Sequence, residues 1–230
     1  LPEFNHNFKF QDTDVKKVNQ DKAYWDEYYK SKSAPMEPSS FATFCLENYL
    51  NTYEFQHIAE FGCGNARDTF HFAKNGFDVS GVDISSVTIA QNQKVATDRS
   101  LDSKTEFYAG NFAEELVRIN DFSKPIDAVY SRFTMHAVSY DLQLEIIARS
   151  FEYLKEGGLF LIECRTVNDP LMLQGEKVGE SERVTDHYRR FIDSTKFISQ
   201  LLAVGFLPKY FIEAKGLAQY KNDDPVIGRF

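Results

Sequence analysis

No run of about 18 apolar residues occurs in this sequence, so no membrane-spanning helix is expected. The first residues also lack the apolar centre of a secretion signal. Cysteine is scarce. Cys45, Cys63 and Cys164 are odd in number and widely spaced, and make neither a metal motif nor a disulfide framework. That usage fits a reducing compartment, and a cytoplasmic location is expected. Basic residues are outnumbered, 26 against 34 acidic ones, leaving a net charge of −8. General nucleic-acid binding needs basic surface to displace counterions, so it is not expected. His6, His57, His71, His136 and His187 lack ligand spacing, and no metal is expected. A G-x-S-x-G nucleophile turn is missing too. The chain begins with Leu1 rather than Met, which fits a piece of a larger, multidomain chain.

What is present is ample for a globular α/β domain. The chain has 230 residues with 43% apolar content, enough for a sizeable core. Its 21 Phe and 12 Tyr suit core and cleft walls, and a few can stack on a flat ligand.

Residues 1–19 are polar with little periodicity and read as an arm. Residues 21–29 (DKAYWDEYY) read as an aromatic helix. Pro35 and Pro38 break the chain, and Ser39 and Ser40 are candidate caps for a helix through Asn51. From His57 a strand–turn–helix pattern repeats. Strands are expected over 57–61, 77–82, 105–109, 126–130, 159–164 and 206–213, with a seventh over 226–230. Helices are expected over 67–74, 85–98, 141–154 and 194–204, with an irregular stretch over 165–193. Such alternation predicts a three-layer α/β/α sandwich around a mainly parallel seven-stranded sheet, with an antiparallel strand near its C-terminal edge. Residues 1–50 would be an arm and helical cover, and 51–230 one globular unit.

The turn after the first strand reads Glu60-Phe61-Gly62-Cys63-Gly64-Asn65-Ala66. In a doubly wound sheet, ligands bind beyond the carboxyl ends of the strands. Glycines there let the backbone turn tightly and approach a ligand. Glu60 offers a carboxylate to a cationic group. Asp83 ends the second strand, where an acid can accept both ribose hydroxyls of an adenosine. After the third strand, Asn111 can read an adenine edge and Phe112 can pack on its ring. A nicotinamide fingerprint would want glycine three positions after Gly64, where Arg67 stands.

Glu60-x-Gly62-x-Gly64, Asp83 and Gly110-Asn111 resemble the successive signatures of class I S-adenosylmethionine (SAM)-dependent methyltransferases. Asp127 and Leu154-Lys155-Glu156-Gly157-Gly158 resemble the later ones. The resemblance covers roughly residues 55–165. It implies SAM as cofactor and S-adenosylhomocysteine as product. It also implies that Glu60 and the glycines hold the methionine part, Asp83 the ribose, and the turn after the third strand the adenine. Cys63 within the turn, Ile84 beside Asp83, Ser131 after the fourth strand and Trp25 on the cover complete the expected cofactor contacts. Ala66 departs from the family where many members have a third glycine, and Asn111 departs where many have Asp. The Tyr24-Trp25 helix is similar, more loosely, to the aromatic cover of small-molecule methyltransferases of the thiopurine and tellurite-resistance types.

Methyl transfer needs an aligned nucleophile, exclusion of water and, for a hydroxyl acceptor, a base. Candidate catalytic residues are His136, Arg132 and His187, with His136 the first choice for the base. Arg165, Tyr188, Arg189 and Arg190 are candidates for an anionic acceptor, since guanidinium pairs with oxyanions bidentately. The acceptor is expected to be small or glycan-like, with bacterial surface-polysaccharide synthesis as the narrower idea. A small metabolite and a non-catalytic SAM-binding scaffold are the alternatives.

Overall fold

The computed structural model describes residues 22–30, 35–119 and 125–230. The expected arm over 1–19 lies outside the described residues.

Seven strands form the central sheet: β1 (His57–Phe61), β2 (Asp78–Asp83), β3 (Thr105–Ala109), β4 (Ile126–Arg132), β5 (Leu154–Arg165), β9 (Ile212–Ala214) and β10 (Ile227–Arg229). Their order is β3-β2-β1-β4-β5-β10-β9. The five strands from β3 to β5 are parallel, and β10 runs antiparallel to both its neighbours. Each of β1, β2 and β4 is buried almost throughout, as strands covered on both faces must be.

Helix α1 covers residues 22–30. Helices α2 (Ser40–Asn48), α3 (Arg67–Lys74) and α4 (Ser86–Asp98) pack on one face of the sheet. Helices α5 (Phe112–Ile119), α6 (Tyr140–Tyr153) and α7 (Ser194–Val204) pack on the other. Side chains alternate across the strands and supply both cores. Ala59, Phe61, Val129 and Ile162 meet α5–α7, whereas Ile58, Ala128, Tyr130 and Leu161 meet α2 and α3. Local caps set the helix starts. Ser39, Ser85, Ser139 and Asp193 each accept an N–H from the first turn that follows.

Four elements differ from the sequence expectation. Helix α5 occupies a stretch where no helix is expected. The strand expected over 206–213 shrinks to β9. Phe206 leaves the strand line to pack on Phe151 and Phe160, and Pro208 has no N–H for a ladder. The stretch over 165–193 is ordered as a 3-10 turn (Pro170–Leu173) and a small antiparallel sheet, β6 (Glu176–Lys177), β7 (Glu182–Val184) and β8 (Tyr188–Arg190). Strand β5 starts at Leu154 instead of 159, so the Gly157-Gly158 pair lies inside it, beside a register shift against β4. Among the described residues no helix is long and apolar enough to cross a membrane.

Candidate active site

Strand order reverses between β1 and β4, because β1 leads to α3 on one face while β4 leads to α6 on the other. The loops that leave these strands therefore diverge and open a crevice at the carboxyl ends, the place where such sheets bind ligands. Loop 62–66 and loop 133–139 line it.

The glycine turn is tightly held. Gly62 and Cys63 both donate to the carbonyl of Val82, each at 2.9 Å. Gly64 donates to Asp83 Oδ2 at 2.9 Å, and its carbonyl accepts from Asn92 Nδ2 at 2.7 Å. Gly62 and Gly64 take φ of 70° and 51°, in the left-handed region that glycine tolerates. A Cβ on Gly62 would overlap Thr134, and one on Gly64 would overlap the hydroxyl of Tyr29. Ala66, at the family's third glycine position, adopts φ 58° and caps α3 in that strained conformation.

Asp83 is buried, and Oδ1 accepts the Ser85 N–H at 2.9 Å. Burial pushes its carboxyl up, against the two N–H donors. Ile84 beside it is half-buried. Glu60 on β1 accepts from Thr69, and burial together with the charge of Asp68 pushes its carboxyl well above the carboxylate range. Cys63 is buried and held as the neutral thiol by burial and by Asp83. Asn111 is half-buried, and its Oδ1 accepts the Ala113 N–H at 3.1 Å, opening α5. Phe112 turns away from the crevice. It is 2% exposed and packs 4.1 Å from the Phe61 ring in the α5–α7 core. Ser131 is fully buried, and its Oγ has no hydrogen-bond partner among the described residues.

Helix α1 roofs this crevice. Its Asp26 accepts from Ser85 Oγ at 2.6 Å, and Lys22 reaches Ser86 Oγ at 3.1 Å. Trp25 and Tyr29 stack at 6.1 Å, and Tyr24 and Trp25 lie 5.0 and 5.1 Å from the His187 ring. The roof thus joins the end of β2 to the small sheet. Sequence reasoning singled out Trp25 but missed Asp26 and Tyr29. Their signal was available: Trp25 and Tyr29 lie four apart, on one helix face.

The acceptor candidates separate. His136 is buried, and its Nδ1 accepts the Arg165 N–H at 3.1 Å. Burial first, then Arg165, Arg189, His187 and Arg132, push its imidazole well below the usual range. His187 is lowered to about 4 by burial and Arg189, against Asp186. Its Nδ1 lies 3.1 Å from Tyr24 Oη and 3.2 Å from Asp186 Oδ2. Along β8, residues alternate faces. Arg189 pairs with Asp186 at 2.6 Å, whereas Arg190 is buried against Gln143 and the Val138 carbonyl. Tyr188 donates to Glu182 at 2.9 Å. The adjacent arginines therefore do not form one clamp. Arg165 is held by Asp169 and Asp223. Arg132 lies over the Phe133 ring at 4.2 Å, with Nε 2.9 Å from Glu163 Oε1.

Residues 58–158 match the family model described as a methyltransferase domain. The CcbJ methyltransferase from Streptomyces caelestis is similar in structure, with TM-score 0.65 and 13% identity, over 91% of this chain and 97% of that one. The glycopeptide N-methyltransferase MtfA complexed with SAM aligns over 88% of each chain, with TM-score 0.59 and 16% identity. The [4+2]-cyclase SpnF is similar as well, with TM-score 0.67 and 14% identity, over 88% of this chain and 77% of that one. No curated protein sequence matches this one.

Proposed function

From the class I, SAM-dependent methyltransferase domain that residues 58–158 of this chain form, we propose that the enzyme transfers the methyl group to a small or glycan-like acceptor held between α1, loop 133–139 and the small sheet. The observation that carries this reading is the glycine turn locked onto Asp83, because it joins a backbone cradle to a buried acid beneath an aromatic roof. Among the described residues, none at the cleft favours the narrower idea of surface-polysaccharide synthesis.

The residues present fit SAM. Asp83 spends one acceptor position per oxygen on Gly64 and Ser85, and a carboxylate has about four in all. The remainder suits two ribose hydroxyls. Ile84 offers an apolar edge to adenine, and Asn111 keeps its amide N–H groups for the base. Phe112 is assigned to the core instead. Burial pushes the Glu60 carboxyl up, and a cationic amino acid group beside it would favour the carboxylate. When bound, SAM supplies an electrophilic methyl group on a sulfonium.

The protein's part is to orient the acceptor, exclude water and take a proton where one is released. His136 is poorly placed as the base. Its Nδ1 lone pair is engaged by Arg165, so the neutral ring presents an Nε2–H donor. His187 is the better candidate. Tyr24 Oη donates to Asp186 at 3.0 Å, so His187 Nδ1 faces an acceptor pair and carries the proton. Its Nε2 then keeps a lone pair, oriented by Asp186 much as a catalytic histidine is oriented by its carboxylate. A base lowered to about 4 is unprotonated at neutral pH.

Titration calorimetry of the folded chain with SAM, S-adenosylhomocysteine and NAD tests the cofactor. Micromolar-range binding of the first two and none of NAD is expected. Folded protein that takes up no SAM heat would sink the reading.

A further inference from the structure

We propose that the methyl acceptor carries a carboxylate or phosphate, and that Arg132 is the residue that receives it. The inference rests on the methyltransferase reading and moves the anion site away from the Arg189–Arg190 pair.

Charge pairing singles out Arg132. Glu163 on β5 is fully buried and lies between two arginines: Arg229 Nε at 2.8 Å and Arg132 Nε at 2.9 Å. One carboxylate cannot neutralise both. Arg229 is otherwise satisfied, since its Nη2 donates to Ser40 Oγ at 3.1 Å and to the Leu217 carbonyl at 2.9 Å. Arg132 is not. Its Nε and Glu163 Oε1 face each other as an ion pair at 2.9 Å, without the alignment of a hydrogen bond, and among the described residues neither buried atom makes a hydrogen bond. Buried polar atoms are nearly always satisfied, and a half-satisfied buried pair is costly unless a ligand completes it. The other arginines of the cleft are spent. Arg165 has two carboxylates, Arg189 has Asp186, and Arg190 is buried against α6.

Position agrees with charge. Arg132 ends β4, at the switch point, and its charge reaches His136 in the cleft. Its side chain is 19% exposed, so part of it stays accessible at the carboxyl end of β4. It stacks on Phe133, a bulky residue held at φ 59°. Strain of this kind concentrates at functional sites and persists only where the surroundings enforce it. Here Phe133 N–H is tied to the Glu163 carbonyl at 2.8 Å, and the ring lies between Arg132 and Arg165, at 4.2 and 5.7 Å. The flat ring braces the guanidinium plane, so an oxyanion meets a pre-oriented pair of N–H groups.

The test uses the whole chain loaded with S-adenosylhomocysteine. Calorimetric titration compares benzoate and phenyl phosphate with benzamide, a neutral molecule of benzoate's shape. At least one of the two anions should bind about tenfold or more tighter than benzamide, the effect of a charge-assisted hydrogen bond, and which of them does so names the oxyanion. Arg132→Gln should remove the preference and leave S-adenosylhomocysteine affinity unchanged, while Arg132→Lys should keep part of it. If Arg132→Gln fails to fold, the wild-type comparison and the lysine variant still decide. Neither anion exceeding benzamide by more than twofold, or a full preference retained without Arg132, would overturn the proposal. Failure to bind S-adenosylhomocysteine at all would overturn the cofactor reading and this inference with it.

Discussion

Asp83 does two things with one carboxylate. Each oxygen accepts one backbone N–H, from Gly64 and from Ser85, and so joins the glycine turn to the start of α4. An asparagine has a single oxygen, and its amide N–H₂ would face one of those donors. Asp83→Asn should therefore destabilise the fold by about 1–3 kcal/mol, the cost of an unsatisfied buried donor. It should also weaken S-adenosylhomocysteine binding. Thermal unfolding and titration of the purified variant check both, and a melting point and affinity equal to wild type would remove Asp83 from the site. At this scale the sequence was informative where backbone geometry dictates the residue. Gly62 and Gly64 stand at positive φ in a tight turn and Asp83 at the end of β2, places where the residue types themselves draw attention. Partners could not be read in the sequence. Arg189 and Arg190 are neighbours in sequence, yet strand alternation sends them to opposite faces. Phe112 looks like a stacking residue until α5, which it opens, turns the ring into the core.

Elements with strong periodicity were legible. The strands from β1 to β5 and α3, α4, α6 and α7 fall within a few residues of expectation, β5 excepted, which starts earlier. Helix α5 was not, because its eight residues follow directly on a motif that drew attention to single side chains. The small sheet escaped as well, since strands of two or three residues carry no period. Helix α1 is the element whose behaviour is easiest to follow, for Trp25 is the only tryptophan in the sequence. Its ring contacts His187, whose imidazole is lowered to about 4 by burial and Arg189, with Arg165 adding and Asp186 opposing. Freed from the roof, the ring would return toward its ordinary value near 6.5. The undocked state then binds the proton more readily, so acid favours undocking. Docking is complete above about pH 6.5 and weakens as the pH falls toward 4. Trp25 emission should shift to the red over that window, and His187→Gln should flatten the shift. An emission maximum constant from pH 7 to 4 in folded protein would mean that the roof does not depend on His187.

Across the whole molecule, the site and the stability of the sheet sit at opposite ends of the same strands. The carboxyl ends of β1, β2 and β4 carry the crevice. The opposite end is tied by Asp127, which the sequence placed among the family signatures. The structure puts it at the start of β4, buried, accepting from the Gln56 and His57 N–H groups at 2.6 and 2.8 Å. Lys155 of β5 pairs with its other oxygen. One side chain thus joins three adjacent strands. Burial works against its charge, but Lys155 and the two N–H donors outweigh it and hold the carboxyl below the ordinary range. A lowered folded value means stability that is present above the unfolded value, about 3.9, and lost as the pH falls through the folded one. Asp127→Asn keeps an oxygen for the two N–H groups but sets an amide against the Lys155 ammonium. It should cost about 2 kcal/mol at neutral pH, the worth of a charge-assisted bond, and make unfolding less sensitive to acid below about pH 4. S-adenosylhomocysteine affinity should stay at the wild-type value, because the pinned end is remote from the crevice. Denaturant unfolding at pH 7 and pH 3.5, with a cofactor titration alongside, separates the two ends. Loss of affinity in a folded Asp127→Asn variant would show that the ends are coupled, and that the register of β1 against β4 sets the glycine turn.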